Sequence, residues 1–109
     1  QETACTALAE AVPFAYVLLT GKHFDEQMES GTFVGLSHRQ AIIVAAKALP
    51  PYSNLMICLK GETGDKVLEV YAKVMRPLDE SAKRYLIHFT SVPPNARTWL
   101  DRLEKNKSS

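Results

Sequence analysis

Several familiar signatures are missing from this chain, and each absence removes a class of function. Its two cysteines, Cys5 and Cys58, lie far apart and form neither a CxxC pair nor a Cys/His ligand cluster, which removes the common metal and dithiol motifs. Whether they pair with each other is a matter of geometry that the sequence leaves open, and a reduced, cytoplasmic chain is the expectation. No apolar run approaches the roughly 18–20 residues that cross a bilayer. No strong charge of either sign exists: 13 basic and 12 acidic residues give a net charge of +1. Such a balance supplies no field to recruit a nucleic acid polymer or an acidic membrane. There is no GxSxG, GxxxxGK, HExxH or GxGxxG, so the hydrolase, phosphate-loop, zinc-protease and dinucleotide signatures are all absent. The first ten residues contain no Met and no basic-then-apolar leader pattern. That start reads either as a chain from which a leader has been removed or as a domain from a longer polypeptide, and the charged residues 104–109 favour the second.

What is present is a run of short apolar segments. A chain of 109 residues, 46% hydrophobic and 23% charged, suits one domain of ordinary globular composition. Residues 2–11 are rich in Ala, Leu and Glu, which predicts a short helix, and Pro13 disfavours its continuation. Residues 1–11 therefore read as a helical lead-in or linker, 12–104 as the folded domain and 105–109 as a frayed tail. Within the domain, residues 14–19 suit a first strand, and 22–31 are polar enough for a loop or exposed hairpin arm anchored by Phe24 and Met28. Residues 32–36 and 41–46 form two further strands around the turn Ser37-His38-Arg39-Gln40. The prolines at 50 and 51 place 49–54 in a loop. Leu55, Ile57 and Leu59 then alternate with Met56, Cys58 and Lys60. A turn over 61–65 separates that strand from 67–75, where Leu68, Val70, Ala72 and Val74 share a face. A charged turn over 76–84 leads to the last strand, where Tyr85, Ile87 and Phe89 alternate with Leu86, His88 and Thr90. The period then changes. Ala96, Trp99, Leu100 and Leu103 recur at helical spacing after Pro93-Pro94. These elements predict an all-β fold with a flanking helix: six antiparallel strands closed into a barrel, with a C-terminal helix over one side or mouth.

The polar residues show no catalytic convergence. Acid/base chemistry needs carboxylates that approach one substrate from different environments, whereas Asp25-Glu26 and Asp79-Glu80 are adjacent pairs in loops. His23, His38 and His88 are scattered. Mid-strand His88 reads as a hydrogen-bonded structural residue, and His38, in a turn, is the better candidate for ligand contact. Ser37 has no activating partner, so the chain is read as a non-enzyme. Arg97 and Arg102 read as a solvated helix face.

The order of several segments resembles the PilZ family. Gly35-Leu36-Ser37-His38-Arg39-Gln40 followed by apolar residues is similar to the family's (D/N)xSxxG hairpin. Leu49-Pro50-Pro51, Tyr71-Ala72-Lys73-Val74 and Ile87-His88-Phe89 follow in the family's order, so the resemblance spans about residues 12–103. It implies a six-stranded antiparallel PilZ-like barrel that regulates a bacterial signalling protein. It also implies a ligand, cyclic di-GMP, held by an RxxxR motif before the first strand and by the hairpin. Arginine suits that role because it forms bidentate phosphate bonds and stacks on flat bases.

Here the motif departs from the pattern. Ala7 and Ala11 stand where arginines are expected, Gly35 replaces the acidic or amide residue, and Gln40 replaces the glycine. The implied function is a degenerate regulatory module without a cofactor. It acts on a protein partner or adjoining signalling domain, with Phe24, Met28 and Tyr52 as contact candidates and a homodimer among the assemblies open to it. The alternative is a cyclic di-GMP receptor with a non-standard site built from Lys22, Ser37, His38 and Arg39.

Overall fold

The computed structural model describes residues 5–20, 23–24, 28–60 and 67–105. Seven strands precede one helix: β1 (Thr6–Thr20), β2 (His23–Phe24), β3 (Glu29–Leu36), β4 (Gln40–Ala45), β5 (Asn54–Lys60), β6 (Val67–Asp79), β7 (Arg84–Ser91) and α1 (Pro94–Lys105). Every pairing is antiparallel. The order β1-β3-β4-β7-β6-β5 returns to its start through a β1–β5 pairing, so six strands close a barrel, and among the described residues two-residue β2 pairs with β1 alone.

Period-2 patterning decides what faces the interior. Phe33, Ala41, Ile43, Leu55, Ile57, Leu59, Val70, Ala72, Val74 and Ile87 are all buried there, and their neighbours along each strand point outward. Six strands enclose too little space for a ligand, so side chains fill the lumen. The helical stripe closes the core: Ala96 and Leu100 are buried in it, with Trp99 and Leu103 packed at its margin. The interior also holds the long β4–β5 connection in place, because the Tyr85 hydroxyl accepts a 3.0 Å hydrogen bond from the Leu49 amide.

Several expectations from sequence are corrected. Thr6–Thr20 is one strand, so residues 6–11 are extended rather than helical. Intrinsic helix preference there amounts to tenths of a kcal/mol per residue, and it yields to pairing of Thr6 with Leu36 and Ala7 with Gly35. A register irregularity between Ala7 and Val12 takes up the intervening residues. Pro13 sits inside this strand opposite Thr32, at a point where β5 has not yet joined, since that pairing begins at Ala15. Proline is tolerated in a strand at such a singly paired position, next to a register irregularity.

The supposed loop over 22–31 contains β2 and the start of β3, and the charged turn over 76–84 shrinks to residues 80–83. β6 continues to Asp79 because irregularities near Met75 and Pro77 keep it beside β7. Lys105 belongs to the helix rather than to a tail. The turn over 61–65, Lys22 and residues 106–109 lie outside the described residues. Cys5 and Cys58 are not joined in a disulfide.

Candidate functional site

The β3–β4 hairpin is built by its own serine. The Ser37 amide donates to the Gln40 carbonyl at 2.8 Å, and the Gln40 amide donates back to Ser37 Oγ at 3.1 Å. The same hydroxyl lies 3.3 Å from the Gln40 carbonyl, to which it donates. Ser37 is thus engaged within the turn, as short hydroxyl side chains commonly are. β7 fixes the far side of the loop, where the Phe89 amide donates to the Arg39 carbonyl at 2.8 Å. His38 and Arg39 are therefore carried on a rigid base with their side chains exposed.

Two further features meet at this hairpin. The first is β1, whose opening residues run beside it with Ala7 directly opposite Gly35. A Cβ placed on Gly35 would stand 3.4 Å from Ile42 Cβ and 3.5 Å from Cys5 Cβ. Carbon and a thiol-bearing side chain therefore border the position where the family motif carries an acid or amide. The second is α1. Its Arg97 brings Nη1 to 3.5 Å from His38 Nδ1 and to 3.6 Å from Asp101 Oδ1, one helical turn on.

Of the residues singled out from sequence, Ser37, His38 and Arg39 share one turn, and Lys22 lies outside the described residues. Arg97 and Asp101 were missed as members of the group. No spacing in the chain brings a residue near 38 beside one near 97, because closure of the barrel does so. Among the described residues no cluster of three or more His, Cys, Asp or Glu side chains is placed to hold a metal. No described helix is long and apolar enough to cross a membrane.

Away from the hairpin, a concavity of about 680 Å³ opens where β1 and β5 part, bordered by Pro13, Phe14, Met28, Cys58, Val67 and Trp99. Burial pushes the Cys58 thiol above its ordinary pKa, with the Glu69 carboxylate acting in the same direction. The contact candidates fall on different parts of the surface: Met28 is 48% exposed at this concavity and Tyr52 is 65% exposed on the β4–β5 loop. The side chain of Phe24 is outside the described residues.

No family model matches the sequence, and no curated protein matches it. Among solved structures the chain is similar to the PilZ domain of CeSA from a cellulose-synthesizing bacterium. The TM-score is 0.60 at 15% identity, over 90% of this chain and 93% of that one. At this identity the likeness is one of fold: the chain has a PilZ-like architecture.

Proposed function

We propose that this PilZ-like barrel is a non-catalytic regulatory module of a bacterial signalling protein. It works in the cytoplasm through a protein partner or adjoining domain, and its standard cyclic di-GMP site is degraded. The observation that carries this reading is the register of β1 against the hairpin. Ala7 lies directly opposite Gly35, so the two elements that the family resemblance makes responsible for ligand are side by side, and only their chemistry is lacking. Methyl groups stand at 7 and 11, and the space beside Gly35 is bordered by Ile42 and Cys5. Charge-assisted hydrogen bonds are worth about 1.5–3 kcal/mol each. Losing those of two arginines weakens a micromolar site by a factor on the order of 100 or more.

One arrangement favours a second reading. His38 and Arg39 are exposed on a fixed turn, and the Arg97 guanidinium comes within 3.5 Å of the His38 ring. Together these groups could receive a phosphate of cyclic di-GMP without the RxxxR motif. Isothermal titration of this chain with the dinucleotide separates the readings. We expect no saturable heat up to millimolar ligand. Saturable heat overturns the degraded-site reading, and loss of that heat in Arg39→Ala would then place the ligand at the turn.

A further inference from the structure

The outer face of the barrel contains a charge arrangement that neither the hairpin nor the core requires. Across β4, β7, β6 and β5 the registers Gln40 to His88, His88 to Lys73 and Lys73 to Asn54 place four polar side chains in one row. Directly opposed residues on one face of an antiparallel pair stand about 5 Å apart at Cβ. The fold thus sets an ammonium against an imidazole, a juxtaposition that is unfavourable whenever both carry charge.

Natural sheets usually offset such a pair with a cross-strand acid. Among the described residues none stands in this row or in the rows on either side of it. On one side the next row is Ile42, Leu86 and Arg76. On the other side it is Val17, Met56 and Tyr71. The nearest carboxylate along β6, Glu69, stands one row further on, opposite Cys58. Lys73 and His88 are both half-buried, and no hydrogen bond or ion pair reaches either side chain among the described residues. Among the described residues, mid-strand His88 shows none of the side-chain hydrogen bonds that its sequence context predicted.

Resting on the reading that this barrel works through protein contacts, we propose that the outer face of β5, β6 and β7 docks a partner segment. That segment places a carboxylate between Lys73 and His88 and lays apolar side chains to either side. Charge complementarity selects an acid. The apolar flanks select a peptide over a free anion: Met56, Tyr71 and Ile42 are half-buried on this outer face and partly open to water. A lone phosphate would leave them wet, whereas alternating apolar and acidic side chains would cover them.

The test titrates the isotopically labelled chain with the capped pentapeptide Leu-Glu-Leu-Glu-Leu, its Gln-substituted analogue and inorganic phosphate, followed by amide and imidazole resonances. The acidic peptide is expected to give saturable shifts centred on Lys73, His88 and Tyr71. The Gln analogue should bind about two- to fivefold more weakly, the usual worth of an exposed ion pair. Lys73→Gln and His88→Gln should each reduce affinity by a similar factor, and because both side chains point outward their melting curves should match that of the parent. Four results overturn the proposal: no saturable shift, equal affinity for both peptides, affinity unchanged in Lys73→Gln, or phosphate binding the pair as tightly as the peptide. If the peptide fails and cyclic di-GMP gives no heat, this inference falls alone. If the dinucleotide gives heat, the broader reading falls whatever the peptide does.

Discussion

At Gly31 the ring of Phe14, its cross-strand neighbour, lies where a side chain would otherwise stand. A Cβ built there would come to 2.8 Å from Phe14 Cζ and 3.2 Å from the Val44 carbonyl oxygen. One obstacle is backbone, and the other is a ring held by Phe33 at a centroid distance of 4.4 Å. Neither moves cheaply, because a close-packed interior passes strain to its neighbours. Gly31→Ala is expected to destabilise the domain by about 1–3 kcal/mol, the usual range for overpacking. Thermal melting measures this, and an unchanged midpoint would show that the ring can swing aside. From sequence alone Gly31 looked like the end of a loop. Nothing local announces that an aromatic ring from another strand will cover it. Ser37 was different: a serine in a four-residue polar turn between apolar strands predicts its own hydrogen bonds, and those bonds are present. Arg97 and the Lys73–His88 pair belong with Gly31, since their partners come from distant strands or the helix.

At the scale of elements, the turn joining β6 to β7 shows how local chemistry ends a strand. Asp79 accepts hydrogen bonds from the Ser81 hydroxyl at 2.7 Å and the Ala82 amide at 3.2 Å. These two contacts hold its carboxyl below the usual aspartate range. The chain then reverses through Lys83, whose φ of 55° is in the left-handed region, where a side chain costs about 1–2 kcal/mol. Glycine avoids that cost but loses more backbone entropy on folding, about 0.5–1 kcal/mol. Lys83→Gly is therefore expected to stabilise the domain by about 0.5–1 kcal/mol, read as a higher denaturant midpoint at constant slope. A lower midpoint would mean that the lysine side chain itself holds the turn. Strand identity was legible wherever apolar and polar residues alternated, as in β5, β6 and β7. It was not legible in residues 6–11, whose composition favours helix and whose conformation is set by β3.

For the whole molecule, the helix is the part most exposed to a single change. α1 packs on β1 and β6, and Leu100, 1% exposed, reaches the common core. Leu100→Ala removes that contact and leaves a space the barrel cannot readily collapse into, at a cost of about 2–5 kcal/mol. Set against a total of about 5–15 kcal/mol for a domain, this is a large fraction. A drop in melting temperature of about 8 °C or more is expected, at about 4–8 °C per kcal/mol. A drop of only a few degrees would show that the barrel stands without its cover. Closure itself was inferred correctly from strand count and edge avoidance. The strand that accomplishes it could not have been, because β1 changes neighbours part way along.

That change of neighbours sets how the barrel responds to force. β3 holds β1 along residues 12–16, β5 holds it along 15–19 and β2 joins at Leu19 and Thr20, so among the described residues Ala15 and Tyr16 form the adjacent pair gripped by long strands on both sides. Tension drawn sideways from the beginning of β1 loads the rungs at Thr6 and Ala7 one after another, and they open in turn. Tension drawn along the strand loads the rungs on both flanks together, and they must give way at once. The same strand is a zipper in one direction and a row of rivets in the other, with the doubly held pair at 15 and 16 as the stop between them.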